Sequence, residues 1–324
     1  MFDRPRVLRR RCLALLLALP AFAAQAAYPD KPIRMLVPFG AGGITDIVAR
    51  VTAEELSAQL GQQVVIENRP GGGGNIAAAA LAQAPADGYT LMFTTGALLT
   101  VNPHLYDKLP FDPFTSFTYI STVASTPHAV VVSPALPART MKELVDLARE
   151  KPQGVRFGTA GVGSSPHQGL EILQRSANVK LLHVPYKSGA ESVNAVLGGQ
   201  IDITFEALPV VMQHVRTGKL RALAIASPER AGSEPQLPTT AEAGFPGLVS
   251  GSVSGVIAPA GLPADVQETL RKALGAAMAR PAMRGRLFAQ GSVVVPSTSQ
   301  EFLATVRREH ARWGGILKPA KAAS

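Results

Sequence analysis

The sequence predicts a two-domain α/β protein whose sheets carry helices on both faces. Short apolar segments alternate with segments of helical periodicity along almost the whole chain, and this is the pattern of α/β sheets. The chain has 324 residues, more than one hydrophobic core usually holds, so two domains are expected. No internal repeat and no long low-complexity linker is found, and we therefore expect short crossings between the domains.

The expected elements follow from this periodicity. Ile44, Ile47, Val48 and Val51 repeat at helical spacing and predict a helix over 44–51. The same spacing predicts three further helices, over 141–150, 166–176 and 264–279. Runs of apolar and β-branched residues predict ten strands, over 33–39, 64–67, 90–95, 129–133, 155–159, 181–184, 202–205, 221–226, 254–259 and 292–296.

Residues 1–26 have the pattern of a signal peptide. A basic segment, MFDRPRVLRRR, precedes the apolar segment CLALLLALPAFA and the cleavage pattern Ala24-Gln25-Ala26. The apolar segment is too short to span a bilayer. We expect export of a soluble mature chain with cleavage near Ala26, and the arginines at 9–11 leave both Sec and twin-arginine export open.

Composition argues against several classes of function. The formal net charge of +9 falls by four, to about +5, when the leader takes away five arginines and one aspartate. The remaining basic residues are scattered and the chain has one Trp, so we expect no nucleic-acid binding. The only cysteine, Cys12, leaves with the leader, which excludes a disulfide or a catalytic thiolate. The six histidines lack the H-x-H, H-x-x-x-H and H-E-x-x-H spacings, so we expect no metal and no cofactor.

The stretch VPFGAGGITD, residues 37–46, runs from the first expected strand into the first helix. Unpaired N–H groups and the helix dipole at a helix N-terminus, together with glycines that admit a ligand, favour an anion. A Walker loop would need a lysine that is missing here. A dinucleotide-binding loop, with Glu67 as the ribose partner, is an alternative. Two facts argue against it: Thr45 occupies the third glycine position, and an exported protein has no supply of reduced nicotinamide cofactor. A tight turn that binds nothing is the structural alternative.

A second loop, FGTAGVGSSPH over 157–167, repeats this arrangement of a strand, small residues and a helix. Two such loops, one in each half of the chain, predict two helix N-termini that face each other across a cleft and hold one compact anion. Thr159, Ser164 and Ser165 can donate hydrogen bonds to a carboxylate. Capping of the second helix by the two serines is an alternative that is compatible with binding.

These segments carry a family resemblance. The chain resembles the tripartite tricarboxylate transporter substrate-binding receptors, also called the Bug family, through YPDKPIRMLVPFGAGGITDIVAR, PADGYTL, GTAGVGSSPHQG, HVPYK, GGQID and LRALA. The matching segments span nearly all of the mature chain in order. The resemblance implies a periplasmic binding-protein fold, type II-like, in which two doubly wound α/β domains close on a small organic carboxylate in the cleft between them.

The resemblance also implies a domain division and partners. Domain 1 would comprise 28–125 plus 253–324, and domain 2 would comprise 126–252, so that the chain crosses the hinge twice. The protein would be a monomeric periplasmic receptor, not an enzyme, that delivers its carboxylate to the membrane subunits of a tripartite tricarboxylate transporter. The implied ligand-binding residues come from both loops, and they are Phe39, Gly40, Ala41, Gly42, Gly43, Thr45, Asp46, Thr159, Ala160, Gly161, Gly163, Ser164 and His167.

Two acidic residues need separate interpretation. A carboxylate beside a bound carboxylate repels it, so Asp46 either braces its own loop by accepting N–H bonds or faces an amino group or a water molecule. Glu206 follows the expected strand over 202–205 and is a candidate for contact with the distal end of the ligand. A solvated strand end is the alternative for Glu206.

The chain departs from the family pattern at three places. Gly40 stands where members usually have proline, Ser188 where they often have glycine, and Val253 where they have tryptophan. These departures leave the identity of the ligand open. An exported hydrolase acting on a small anion remains an alternative function, although no G-x-S-x-G pattern is present. A sensor receptor that feeds a signalling partner is the other alternative.

Overall fold

Residues 28–317 are described by the computed structural model of the protein. The expected leader over 1–26, with Cys12, lies outside these residues, as does the end of the chain from 318. The described residues form two α/β lobes. The strands, in chain order, are β1 (Ile33–Val37), β2 (Val64–Asn68), β3 (Thr90–Thr95), β4 (Phe117–Val132), β5 (Arg156–Thr159), β6 (Leu182–Pro185), β7 (Ile203–Ala207), β8 (Arg221–Ile225), β9 (Gly251–Pro259) and β10 (Val293–Val294).

Helices fill the intervals between the strands. A short 3₁₀ helix covers Gly72–Gly74. The α-helices are α1 (Ile44–Leu60), α2 (Asn75–Ala82), α3 (Gly96–Thr100), α4 (Asn102–Leu105), α5 (Met141–Glu150), α6 (Ser165–Ala177), α7 (Gly189–Leu197), α8 (Leu208–Arg216), α9 (Ala264–Ala279), α10 (Pro281–Ala289) and α11 (Ser299–Leu317).

The sheet of the first lobe has the strand order β2-β1-β3-β9-β4. β1 is parallel to β2 and β3, whereas β9 is antiparallel to β3 and β4, and the short β10 is antiparallel to β4. In the second lobe, β5 lies between β6 and β7 and is parallel to both, and β7 and β8 are antiparallel to β4. Parallel pairing places the carboxyl ends of β1 and β5 where open α/β sheets bind ligands.

Side-chain alternation explains why both faces of each sheet are covered. Met35 and Val37 of β1 pack into one buried apolar cluster, and Leu36 between them packs into the cluster on the other face. In the second lobe, Val130 and Val131 of β4 likewise belong to different clusters. Successive side chains of a strand point to opposite faces, so these clusters confirm the predicted α/β architecture with helices on both sides.

β4 is a 16-residue strand that is shared by the two sheets. Its Phe117–Pro127 part pairs with β9, and from His128 onward it pairs with β7. The chain returns to the first sheet at Gly251, the cross-strand partner of Pro127. The predicted strand over 129–133 covers only the end of β4. The earlier part was not predicted because it is rich in Ser and Thr, contains a proline and lacks a continuous apolar run.

Several other expected elements are present with shifted ends. α5 and α9 have the predicted bounds, whereas α1 continues past 51 to Leu60 because AEELSAQL keeps the helical spacing of apolar residues. The expected strand over 292–296 is reduced to the two residues of β10. Within residues 28–317, no helix combines the length and the apolar character that a membrane span needs.

Candidate functional site

The first small-residue loop, 38–43, connects β1 to α1 and presents the start of that helix. No side chain caps α1. The N–H groups of the first turn of a helix have no partner within the helix. These groups therefore need hydrogen-bond partners from outside the helix.

Asp46 braces this loop from within. Asp46 is 3% exposed, and its carboxylate accepts hydrogen bonds from Gly42 N (3.0 Å), Arg50 Nε (2.9 Å) and Asn68 Nδ2 (2.9 Å). Asn68 Nδ2 also donates to the Phe39 carbonyl at 2.9 Å. Burial raises the pKa of Asp46, but the bonds from Arg50, Asn68 and Gly42 outweigh burial and hold the pKa below its ordinary value. The Asp46 charge is thus directed at its own loop.

The second small-residue loop, 160–164, connects β5 to α6 and is also folded by its own hydrogen bonds. Ser164 occupies the N-cap position of α6, but its side chain makes no capping bond. Instead, Ser164 Oγ donates to the Gly161 carbonyl at 2.6 Å. Ser164 thus stands at the N-cap position, as the capping alternative expects, but its hydroxyl oxygen accepts no capping hydrogen bond.

Two stacked histidines lie against the second loop and the strand that precedes it. The Gly163 N–H donates to His167 Nδ1 at 3.2 Å, and the His167 ring stacks on His183 with 4.7 Å between centroids. Thr159 Oγ1 contacts His183 Nε2 at 2.6 Å and accepts from the Gly161 N–H at 3.1 Å. Burial and the neighbouring His183 lower the pKa of His167 to about 4, and burial also lowers the pKa of His183. Both rings are therefore mainly neutral at pH 7.

A third helix N-terminus, which was not predicted from the sequence, reaches the same place. α7 begins at Gly189, and Ser188 Oγ caps it by accepting from the Glu191 N–H at 3.2 Å. The Gly40 N–H donates to the Lys187 carbonyl at 3.2 Å and so joins the first loop to this third loop, 186–189. The Ser188-x-x-Glu191 pattern resembles a capping box, and that signal could have identified the helix start.

Glu206, near the end of β7, packs against the start of α7. Glu206 is 2% exposed, and a Cβ on Gly189 would lie 1.7 Å from Glu206 Oε2, so a larger residue at 189 would have to displace the carboxyl group. Glu206 Oε1 accepts from the Ala207 N–H at 2.9 Å. Burial raises the pKa of Glu206 to about 7, although the Ala207 bond acts in the opposite direction. The alternative of a solvated strand end for Glu206 is wrong, because the carboxyl group is buried.

The three loops surround one small cavity of about 20 Å³ between the lobes. Six residues that the sequence assigned to the site line it, namely Phe39, Gly43, Thr45, Ala160, Ser164 and Glu206. The other assigned residues do not line the cavity. They lie in the same two loops or in the strand and helices next to them, namely Gly40, Ala41, Gly42, Asp46, Thr159, Gly161, Gly163 and His167. Ser165, which the sequence analysis named as a possible donor, lines the cavity as well. Six further lining residues were not predicted, namely Ile44, Thr95, His128, Pro166, Gly189 and Ser252.

A second set of contacts joins the lobes. The Tyr106 hydroxyl, from the first lobe, donates to the Val162 carbonyl of the second loop at 3.1 Å. A Cβ on Gly73 would lie 2.0 Å from the same carbonyl, and a Cβ on Gly163 would lie 1.8 Å from Asn102 Oδ1. The close approach of the two lobes therefore depends on glycine at 73, where the clash would be with backbone, whereas a side chain at 163 would have to displace the Asn102 amide.

Residues 48–321 match the family described as the tripartite tricarboxylate transporter family receptor. The chain belongs to this receptor family. Among curated relatives of this receptor, Protein BugT of Bordetella pertussis is 35% identical over 292 residues, which cover 90% of each chain. The resemblance inferred from the sequence motifs is thus confirmed.

Solved structures similar to this receptor have the same fold. The periplasmic binding protein BugD superposes with a TM-score of 0.85 at 33% identity, covering 90% of this chain and 98% of that one. R. palustris Rpa4515, solved with adipate, superposes with a TM-score of 0.86 at 33% identity, covering 90% of this chain and 97% of that one. The predicted two-domain periplasmic binding-protein fold is confirmed.

The receptor also has a larger cavity, of about 590 Å³, on the other side of the strands that join the lobes. Ser252 of β9 lines the small cavity, whereas its neighbours Gly251 and Val253 line the large one, as expected for alternating strand positions. Apolar side chains such as Phe288 and Trp313 contribute much of the large cavity's lining. The helix N-termini of α1, α6 and α7 line the small cavity, which makes it the candidate ligand site despite its smaller volume.

Proposed function

We propose that this receptor captures a small organic carboxylate between its two lobes and delivers it to the membrane subunits of a tripartite tricarboxylate transporter. One observation carries the proposal: three helix N-termini converge on one cavity. α1 contributes Gly43 and Thr45, α6 contributes Ser164 and Ser165, and α7 contributes Gly189. The adipate in the solved R. palustris relative supports a carboxylate as the ligand.

Recognition would rest on backbone and hydroxyl donors. Among the described residues, no lysine or arginine lines the cavity. The carboxylate would instead accept from N–H groups of the first helical turns and from hydroxyls such as those of Thr45 and Ser165. Each helix N-terminus adds a partial positive charge, and hydrogen bonds to an ionised acceptor are about twice as strong as those between neutral groups. Ser164 would have to exchange its bond with Gly161 before donating to a ligand.

Capture is proposed to occur by closure of two domains. We retain the division into residues 28–125 with 253–324 and residues 126–252. The change of pairing partner along β4 and the return of the chain at Gly251 support this division. The Gly40–Lys187 hydrogen bond and the contact of Gly73 with Val162 support a closed arrangement, in which the lobes gain contacts that an open form would lack.

The receptor is proposed to release its ligand unchanged. Its family is a class of solute receptors. No group of three or more His, Cys, Asp or Glu side chains within 28–317 is arranged to hold a metal ion. Incubation of the protein with small esters and phosphates, followed by product analysis, distinguishes this proposal from the exported-hydrolase alternative.

The protein is proposed to work in the periplasm as a monomer. BugD, a similar structure, is a periplasmic binding protein, and the signal-peptide pattern over 1–26 supports export with cleavage near Ala26. N-terminal sequencing of the exported protein checks the cleavage site. Sedimentation of the mature protein with and without ligand checks the oligomeric state.

A thermal-shift screen tests the carboxylate proposal. The panel contains short-chain amino, hydroxy and unsubstituted carboxylic acids, adipate among them, with the corresponding amides as uncharged controls. A ligand at a hundred times its Kd should stabilise the protein by about 2.7 kcal/mol, and the shift should survive EDTA. Stabilisation by metal ions alone, or by amides as strongly as by acids, would overturn the proposal. Uptake of the best acid into cells with and without the transporter membrane subunits then separates transport from signalling.

A further inference from the structure

The large cavity on the far side of the strands that join the lobes has no part in the proposed capture of a carboxylate. Its volume, about 590 Å³, lies within the range of cavities that bind small molecules, roughly 300–1,000 Å³. Among the residues that the structure describes, eight large apolar side chains are exposed, and four of them line this cavity, namely Val249, Val253, Phe288 and Val293. Exposed apolar side chains gathered in one concave place indicate a binding site, whereas single ones scattered over a surface do not.

Strand register shows how the floor of this cavity is built. Ser125 of β4 is the cross-strand partner of Val253 on one side and of Val293 on the other. Residues opposite each other on neighbouring strands share a face of the sheet, and all three line the cavity. The floor is therefore a row of two valines with one small hydroxyl between them.

Both lobes contribute walls to the large cavity. The first lobe supplies Phe288 and the buried Trp313, and the second lobe supplies Ile172 and the loop over 226–233. The lobes also touch within this lining, because a Cβ on Gly232 would lie 3.5 Å from Phe288 Cζ, which is van der Waals contact. A molecule in the cavity would therefore contact both lobes at once.

The charges in this lining indicate an uncharged ligand. Arg312 Nη1 donates to Glu309 Oε2 at 3.1 Å, and Arg230 Nε donates to Glu242 Oε2 at 2.9 Å, so both arginines of the lining are paired. The remaining charged residue of the lining, Glu229, is exposed to water. A charged molecule would lose hydration here without gaining a buried counter-charge, whereas an apolar molecule gains from burial.

The two cavities lie on opposite sides of shared elements. Thr95 lines the small cavity and the next residue, Gly96, lines the large one, and His128 and Pro127 of β4 are divided in the same way. Because β4 and β9 join the lobes and separate the cavities, a rotation about these strands that opens the cleft brings the walls of the large cavity together. A molecule that fills the large cavity opposes this rotation and favours the closed arrangement.

We propose that the large cavity is a second binding site, which takes a small uncharged apolar molecule and thereby tightens capture of the carboxylate. The coupling rests on the proposed function, because it assumes that the lobes close on a carboxylate, whereas the second site itself does not depend on it. Coupling between two sites is reciprocal, so each ligand should tighten binding of the other by the same factor.

Phenylnaphthylamine, an uncharged aromatic dye whose emission rises in apolar surroundings, tests the second site. Titration of the mature protein should show saturable binding, with energy transfer to the dye from Trp313, the only tryptophan of the chain. Val253→Trp narrows the cavity and should weaken dye binding by about tenfold or more. Val65→Trp is the matched control and should change it by less than about twofold, because Val65 is also an exposed strand valine but lines neither cavity.

Two further measurements complete the test of the site. Val293→Asp places a charge on the cavity floor and should also weaken dye binding about tenfold, and circular dichroism establishes that each variant folds. Direct excitation of the dye is used for all variants, since two of them carry an added tryptophan. Anilinonaphthalene sulfonate, an anionic analogue, should bind more weakly than the neutral dye, because the arginines of the lining are already paired.

Calorimetry of the tightest acid in the panel, with and without saturating dye, measures the coupling. The acid should bind about fivefold or more tightly when the dye is present. An acid affinity that the bound dye left unchanged or weakened would overturn the coupling.

The outcomes separate the second site from the receptor function. If the dye did not bind saturably, or bound equally to Val253→Trp and Val65→Trp, the second site would be overturned and the carboxylate receptor would stand. Tighter binding of the sulfonate than of the neutral dye would overturn the uncharged class of ligand. If no acid of the panel bound, the proposed function would be overturned, and the dye titrations would still decide on the second site.

Discussion

The Gly40 N–H donates to the Lys187 carbonyl at 3.2 Å, and this bond joins the first loop of one lobe to the third loop of the other. The two loops are also close at their side chains, since a Cβ on Gly40 would lie 3.2 Å from the Ser188 Cβ. The bond uses only backbone atoms, so a proline at position 40 removes it without altering the partner.

We expect Gly40→Pro to weaken binding of the tightest acid in the panel by roughly two- to tenfold, since a lost hydrogen bond costs about 0.5–1.5 kcal/mol. Gly40→Ala keeps the N–H group and is the matched control for crowding against Ser188. Calorimetry measures both affinities. Equal affinities of the two variants would show that this bond does not stabilise the liganded form.

Gly163→Ala should impair binding more than folding. The added Cβ would lie 1.8 Å from Asn102 Oδ1 of the other lobe, so the second loop could not approach the first lobe as described. Gly199→Ala is the control, because Gly199 also has a positive φ, +70°, but a Cβ there would meet nothing within 4 Å. Both variants should lose about 1–2 kcal/mol of stability through the backbone, measured by urea denaturation.

Only Gly163→Ala should in addition lose affinity, by on the order of tenfold or more. Calorimetry of the two variants with the same acid makes the comparison. Equal losses of affinity in Gly163→Ala and Gly199→Ala would contradict a role of the Gly163 contact in bringing the lobes together.

Asp46→Asn should destabilise the ligand-free protein by about 1.5–3 kcal/mol at pH 7, because an amide cannot replace both carboxylate oxygens as acceptors. The pKa of Asp46 is held below its ordinary value of 3.8. The stability that Asp46 contributes is therefore fully present above 3.8 and is lost as the pH falls through the lower folded pKa. Urea denaturation at pH 7 and in acid should show the difference between native protein and variant shrinking in acid. Unchanged stability with lost affinity would indicate instead that Asp46 faces the ligand.

Glu206→Gln should stabilise the ligand-free protein increasingly as the pH rises. Burial raises the pKa of Glu206 from 4.5 to about 7, so between these values the folded state holds a proton that the unfolded state releases. Stability of the native protein then falls as the pH rises through this window. Relative to the variant, the deficit should grow to about 3 kcal/mol at pH 8. A difference that did not vary with pH would contradict this account.

That measurement must compare variant with native protein rather than follow the native protein alone. Burial lowers the pKa of His128 to about 3 and, with a neighbouring histidine, that of His167 to about 4. Both rings are neutral in the folded protein, so they change stability in the direction opposite to Glu206. The stability that they contribute is lost as the pH falls below 6.5. The two opposing dependences overlap between pH 4.5 and 6.5, and the variant isolates the one that belongs to Glu206.

Local patterns predicted the parts of the fold that depend on local sequence. The helices over 141–150 and 264–279 have the predicted bounds because their apolar spacing alone specifies an amphipathic helix. The two small-residue loops were likewise found from glycines between a strand and a helix. Phe39, Gly43 and Ser164 belong to these loops or to their ends, and all three line the cavity as predicted.

Long-range pairing determined what the sequence could not predict. Thr95 and His128 reach the cavity because β3 and β4 lie on either side of β9, and no nearby motif marks either residue. The first part of β4 was missed because its buried Ser121 and Thr126 give a polar signal that only tertiary pairing overrides. The third loop was missed although Ser188 begins a capping pattern, since its position beside Gly40 follows from the arrangement of the two lobes.

Pro127 and Gly251 face each other across β4 and β9, so the chain leaves the first lobe and re-enters it at a single point. In terms of connectivity, residues 128–250 are an insertion at the tip of a hairpin. Insertions whose ends adjoin can be removed or exchanged with little effect on the host sheet. A chain in which a two-residue turn replaces 128–250 would keep β4 and β9 as an ordinary β-hairpin. We therefore expect that the first lobe can be tested as a shortened chain and that the second lobe can be exchanged between relatives, with circular dichroism of each chain as the check on folding.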